Sequence, residues 1–162
     1  MNAHLLPLAC VYFLGAWVLL PLGWQVSLAY GLYVIASNLI FMVTICTSCA
    51  NFGLRRCESG YGPVAARLAG RGRPEDFPRR FRLYIPLVAA GWVLPVLGGL
   101  VVLYRSLWGL RDMVLALVPV LVFSIMAFVV MPRSSRDSCS RCAQRDSCPG
   151  TRFTLPGREK GA

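Results

Sequence analysis

The sequence predicts an all-α integral membrane protein in which four transmembrane helices pack as a bundle. Of its 162 residues, 56% are hydrophobic and only 15% are charged, whereas a soluble domain has roughly 25% charged residues. The few charges are also clustered, because apolar runs of about twenty residues alternate with short polar stretches. Most of the basic residues fall in only two of these stretches. We therefore expect a single transmembrane domain covering residues 1–162.

Four uncharged runs are long enough to cross about 30 Å of hydrocarbon at a helical rise of about 1.5 Å per residue. These predicted spans are about 5–23, 26–46, 83–104 and 113–132. The first two are separated by little more than Trp24 and Gln25, and Pro21 and Gly23 lie at the end of the first span. Proline and glycine favour turns, so we expect a tight hairpin between the first two helices.

Prolines occur inside the last two predicted spans. Pro86 and Pro95 lie in the third span, and Pro119 lies in the fourth. A proline leaves one helical carbonyl without its hydrogen bond, but neighbouring groups in a membrane bundle can bond that carbonyl. We therefore expect kinks at these positions rather than breaks.

The arginines predict the orientation of the chain. The central loop, 47–82, contains eight arginines, and the tail, 133–162, contains six arginines and one lysine, so these two segments hold fifteen basic residues. Only Arg105 and Arg111 lie in the turn between the third and fourth spans. Basic residues are enriched on the cytoplasmic side of membrane proteins. We expect the loop, the tail and both termini to be cytoplasmic, in a prokaryotic cytoplasmic membrane.

The central loop is too short and too rich in glycine and proline to form a separate domain. Residues 62–70, GPVAARLAG, predict a two-turn helix on the membrane surface, with Pro63 at its first position and Gly70 just beyond its end. Residues 74–76, Pro-Glu-Asp, then predict the start of the helix that enters the third span.

Six of the seven cysteines form two groups of three with similar spacing. The first group follows the second span as C-x2-C-x7-C, and the second group follows the fourth span as C-x2-C-x5-C. The six residues are Cys46, Cys49, Cys57, Cys139, Cys142 and Cys148. The seventh, Cys10, lies inside the first span, where we interpret it as a small apolar residue.

Antiparallel packing would bring the ends of the second and fourth spans to the same face of the bundle. The pairs Cys46/Cys49 and Cys139/Cys142 could then supply four thiolates to one zinc ion, or the six cysteines could hold an iron–sulfur cluster. Arginines on both sides, Arg55, Arg56, Arg141 and Arg145, would offset the negative charge of the thiolates. We slightly favour zinc, because it is the simpler structural role.

A redox role and incidental thiols are the two alternatives. Four spans with a Cys-x-x-Cys at a helix end resemble the architecture of the DsbB and vitamin K epoxide reductase families. That resemblance implies a dithiol that passes electrons between thiols and a membrane quinone, and we carry no catalytic residue over from it. The cysteines here follow the second and fourth spans on the arginine-rich side, where cytosolic thiols are kept reduced. Quinone-linked thiol oxidation usually needs the oxidising side of the membrane, so the redox role is less favoured than the metal centre.

Several other functions are disfavoured by composition. His4 is the only histidine, so we expect no haem with two histidine ligands in the bundle. The spans contain no Asp, Glu, Lys or Arg away from their ends. Such charged residues are typical of proton and ion pathways, so we expect no pathway of this kind. The formal net charge of +10 is explained by topology and lipid headgroups, so we expect no nucleic-acid partner.

These observations predict a small membrane subunit or assembly factor that works with membrane and soluble protein partners in a larger complex. The alternative is a membrane electron carrier or a thiol-disulfide/quinone oxidoreductase. The sequence identifies no catalytic residue.

Overall fold

The computed structural model describes residues 5–54, 61–107 and 110–140, together with residues 142, 144, 145, 148 and 149. The side chains of residues 5, 6, 110–112, 134, 135 and 137–139 are not part of that description. Within these residues the protein is helical and contains no strand. The α-helices are α1 (Leu5–Leu19), α2 (Trp24–Thr44), α3 (Tyr61–Leu68), α4 (Phe77–Arg105), α5 (Leu110–Ile125) and α6 (Met131–Ser140).

Three of the helical stretches are long and apolar enough to cross a membrane. They are Trp24–Ser48, Pro74–Arg105 and Met113–Arg133, and they correspond to the second, third and fourth predicted spans. The first apolar helical stretch, Pro7–Leu22, is shorter. It consists of α1 and a following 3₁₀ turn, Leu20–Leu22, which contains Pro21 and is followed by Gly23.

The predicted hairpin between the first two helices is present. Gly23 has a φ of 128°, which residues with a Cβ atom rarely adopt. Its N–H donates to Leu20 O at 3.0 Å, and Val26 N–H donates to Gly23 O at 3.1 Å. The chain therefore reverses direction within a few residues, and α1 and α2 run antiparallel.

The apolar helices pack on one another around α1 and α4. Helix α1 contacts α2, α4 and α5, and α4 contacts α2 and α5. The main core cluster joins the inner faces of α1, α5 and the following turn. Its members are Val11, Val18, Val120, Phe123, Ala127 and Met131. A second cluster of Leu19, Tyr30 and Val34 lies between α1 and α2.

Gly99 allows α4 to approach its neighbours closely. A Cβ atom at this position would collide with the side chains of Val120 on α5 and Val18 on α1. Small residues are common where membrane helices pack closely, because van der Waals contact drives much of their association. Gly99 thus lies at the point where three of the helices meet.

The carbonyl left free by Pro95 has a specific partner. In an α-helix the N–H of residue 95 would bond the carbonyl of Gly91, and proline has no N–H. The Tyr30 hydroxyl on α2 instead donates to Gly91 O at 2.9 Å. Gly15 on α1 makes room for this contact, since a Cβ atom there would lie 2.5 Å from the Tyr30 hydroxyl oxygen. Helix α4 accordingly runs through Pro95 without interruption.

The outer faces of the helices remain apolar. Phe13, Leu32, Leu115 and Ile125 are each more than half exposed, at 78%, 61%, 64% and 53%. In the three long apolar stretches, at most 22% of the apolar window is buried inside the protein. So much exposed apolar surface is unsuited to water. It indicates a lipid bilayer environment.

Helical structure continues beyond the expected end of the fourth span at residue 132. Helix α5 leads into a π-helical turn, Met126–Val130, in which the Met131 N–H donates to Met126 O. Helix α6 follows directly and ends at Ser140. Cys139 therefore lies in the last turn of a helix rather than in an irregular tail.

Candidate functional site

The first group of cysteines begins where α2 ends. A 3₁₀ turn, Cys46–Ser48, follows the helix, and Cys46 is buried while Cys49 is half-buried. Arg80, near the start of α4, donates from Nη1 to Thr44 O at 3.3 Å. An arginine at this position satisfies a terminal carbonyl and is attracted to the negative end of the helix dipole. The end of α2 is thus held next to the beginning of α4.

The chain then folds into a compact turn over residues 49–54. Phe52 N–H donates to Cys49 O and Leu54 N–H donates to Asn51 O, both at 3.1 Å. Gly53 has a φ of 73°, and its N–H donates to Gly62 O in α3 at 3.1 Å. This turn is therefore anchored to the short helix α3 as well as to α2.

The second group of cysteines meets this turn. Gln144 is only 8% exposed, and its Oε1 accepts the Ala50 N–H at 2.8 Å. The two residues are 94 positions apart in the chain. Arg145 N–H donates to Cys142 O at 3.2 Å, so Cys142 and Arg145 are joined by a local bond of their own.

A second contact joins the same two turns. Asn51 Nδ2 lies 3.7 Å from Cys142 Sγ and donates to it. Sulfur is a weak acceptor, and hydrogen bonds to it are longer than those to oxygen. Cys142 is half-buried, and its sulfur lies directly against the 49–51 turn.

The structure describes four of the six predicted ligand side chains. Cys46 is buried, and Cys49, Cys142 and Cys148 are half-buried. Cys57 lies outside the described residues, and for Cys139 only the helical backbone is described. Among the described side chains, no three of His, Cys, Asp or Glu are grouped so that they could hold a metal ion. The metal centre therefore stays a prediction.

One polar atom beside the cysteines is buried without a partner. Ser48 is 1% exposed, and its Oγ makes no hydrogen bond to any residue that the structure describes. It packs against Gly72, whose N–H donates to Thr47 O at 2.9 Å. Buried hydroxyl groups are nearly always hydrogen-bonded, which makes Ser48 unusual.

Sequence reasoning missed Asn51 and Gln144, although a signal for both was present. Residues 46–51 read CTSCAN and residues 139–144 read CSRCAQ. Each motif thus carries alanine and then a side-chain amide directly after its second cysteine. The amide of each motif bonds the other motif, since Asn51 contacts Cys142 and Gln144 contacts Ala50. The two motifs therefore share the cysteine spacing and the alanine and amide that follow it, and they also contact each other.

Comparisons with known proteins give no indication of function. No protein-family model, no curated protein and no solved structure matches this chain.

Proposed function

We propose that this protein is a small integral membrane subunit or assembly factor of a larger membrane complex, with a cysteine-ligated metal centre on its cytoplasmic side. The centre would join residues 46–57 and 139–148. The observation that carries the proposal is the pair of hydrogen bonds between the CTSCAN and CSRCAQ motifs. They hold Cys142 beside the turn that contains Cys49, as a shared set of ligands requires.

The chemistry of the donors suits zinc or an iron–sulfur cluster. Thiolates are soft ligands that both centres prefer, and magnesium and calcium do not. Asn51 and Gln144 would act as the supporting groups that orient metal ligands. We slightly prefer zinc, which needs four thiolates, supplied by Cys46, Cys49, Cys139 and Cys142; Cys57 and Cys148 would be additional ligands in a cluster.

The four-span topology is part of the same proposal. Helix α1 packs against three other apolar helices, so it would complete a bundle of four spans although it is the shortest of them. The arginine-rich loop and tail would then lie together in the cytoplasm with both termini. Membrane partners would pack on the exposed apolar faces, and a soluble partner would bind the cytoplasmic end.

The test is the metal content of the intact protein. The protein would be purified in detergent without oxygen, and zinc, iron and acid-labile sulfide would be measured per chain. We expect about one zinc per chain, or iron with matching sulfide and a visible absorption band if the centre is a cluster. Thiols without any metal would overturn the proposal and favour the alternative, a dithiol that exchanges electrons with a quinone.

Cysteine variants test whether the two motifs share the site. Cys49→Ser and Cys142→Ser should each remove most of the metal and lower the thermal stability to a similar extent, because metal binding contributes to folding. Cys10→Ser is the matched control, since Cys10 is exposed on α1. Loss of metal in only one of the two variants would contradict a shared site.

A further inference from the structure

Helix α3 has two different faces and lies at the end of α2. On its inner face, Gly62 and Ala65 are buried. On its outer face, Val64 is 42% exposed and Leu68 is 51% exposed. The outer face thus presents apolar side chains that the rest of the described protein does not cover.

The position of α3 relative to the membrane follows from its contacts with α2. The Tyr61 hydroxyl donates to Asn38 Oδ1 at 2.7 Å, and the Tyr61 ring packs edge-on against Phe41. Both partners belong to the apolar stretch Trp24–Ser48. At the other end, Gly72 N–H donates to Thr47 O, at the point where that stretch ends. Helix α3 therefore lies beside the end of this apolar stretch, at the boundary between the hydrocarbon of the membrane and water.

Exposed arginines surround the apolar face of α3. Arg67 is in the last turn of the helix, and Arg71 and Arg73 follow it, all three exposed. None of them forms an ion pair with a described residue, whereas nearby Arg80 is paired with Asp76 at 3.4 Å. Three positive charges that no described residue pairs, next to exposed valine and leucine, favour a partner that is both anionic and apolar.

The surface formed by Val64, Arg67, Leu68, Arg71 and Arg73 is, we propose, a binding site for anionic phospholipid in the adjacent leaflet. Val64 and Leu68 enter the boundary between headgroups and acyl chains, and the arginines bind phosphate groups. A phospholipid leaflet offers both chemistries at the depth of α3. A soluble acidic protein would meet the charge but would need its own apolar patch at the membrane surface. The inference does not depend on the metal centre.

The experiment compares the protein in nanodiscs of phosphatidylcholine with nanodiscs in which about a third of the lipid is phosphatidylglycerol. Hydrogen exchange of the amides of residues 64–69 should be at least about tenfold slower with phosphatidylglycerol, because each of the three arginines contributes up to about a factor of five near an anionic surface. The difference should shrink at high ionic strength, where the charges are screened.

Matched double variants assign the effect to this surface. Arg67→Gln/Arg71→Gln should lose most of the protection that phosphatidylglycerol provides. Arg133→Gln/Arg136→Gln removes the same charge from exposed positions on α6 and should keep it. Equal exchange in the two types of nanodisc for the wild-type protein, or equal losses in the two variants, would overturn the inference. In either case a water-soluble acidic protein would become the better occupant of this face.

Discussion

The two ends of the packed helices are held by different kinds of contact. At the end where α1 turns into α2, the hydrogen bonds of Gly23 connect residues three or four positions apart, and the Ser27 hydroxyl donates to Ala16 O, eleven positions away. At the cysteine-bearing end, Gly72 bonds Thr47, Arg80 bonds Thr44 and Gln144 bonds Ala50. These partners are distant in the chain and belong to separate elements. One end is held mainly by short-range bonds around a turn, and the other is an assembly of segments that only the packing of the helices brings together.

This difference has a consequence for stability. A local turn forms at little entropic cost, whereas contacts between distant segments depend on the helices that carry them. The cysteine-bearing end should therefore open without unfolding the packed helices, but it should not survive when the helices separate. The CTSCAN and CSRCAQ motifs both lie at this end, so their contacts with each other depend on the packing of the helices.

The largest effect should come from breaking the packing on which both ends depend. Gly99→Leu forces a side chain into Val120 and Val18 and should destabilise the protein by about 3 kcal/mol or more, as overpacking does. Thermal unfolding in detergent would measure the loss. Gly31→Leu is the matched control, because a Cβ atom at Gly31 on α2 meets nothing within 4 Å. Equal stability of the two variants would contradict the close approach at Gly99.

A smaller effect, confined to the cysteine-bearing end, should distinguish that end from the hairpin end. Gln144→Ala leaves the Ala50 N–H without its acceptor, so local opening of the 49–54 turn should become easier by about 1–2 kcal/mol. Hydrogen exchange at Ala50 should speed up about tenfold or more, while exchange at Gly23 stays unchanged.

The control for this variant is Gln25→Ala, because Gln25 is exposed next to the opposite turn. It should leave the exchange of Ala50 as it is in the wild type. Gln144→Glu replaces the amide oxygen with a carboxylate oxygen, which can also accept the Ala50 N–H, and should restore most of the protection of that amide from exchange. Faster exchange at both ends in Gln144→Ala would mean that the cysteine-bearing end does not open on its own.

The smallest effect concerns the bond that α2 provides to α4. Tyr30→Phe leaves Gly91 O without a donor, because Pro95 has none, and should cost about 1 kcal/mol in detergent. Tyr33→Phe is the matched control: Tyr33 donates to Leu87 O at 2.6 Å, and this carbonyl still has the helical N–H of Gly91. Chemical denaturation of both variants would measure the difference. A loss from Tyr33→Phe as large as that from Tyr30→Phe would contradict this account.

Much of the fold could be predicted because its signals are local. Apolar runs indicated the second, third and fourth spans, Pro21 and Gly23 indicated the hairpin, and the Pro74 stretch indicated the start of the helix that contains the third span. The short helix predicted at 62–70 is α3, Tyr61–Leu68. The extension of helical structure to Ser140 was missed, because residues 133–140 are polar and only the apolar runs were counted as helix.

The candidate site was predictable in its residue types but not in its contacts. Cysteine spacing identified two related motifs, and antiparallel helices implied that their ends share a face. Asn51 and Gln144 were overlooked, because only the spacing of the cysteines was compared and not the alanine and amide residues that follow the second cysteine of each motif. Which amide bonds which segment depends on distances between turns that are more than ninety residues apart.

The sequence by itself determined that this protein is helical and suited to a bilayer, because apolar run length and local turn residues act within a few positions of the chain. Only the tertiary structure decided that Tyr30 replaces the donor missing at Pro95 and that the CTSCAN and CSRCAQ motifs bond each other. Both contacts join separate elements, and a hydrogen bond forms only when donor and acceptor come within about 3 Å with suitable alignment. Helix packing, rather than the local sequence, sets those distances.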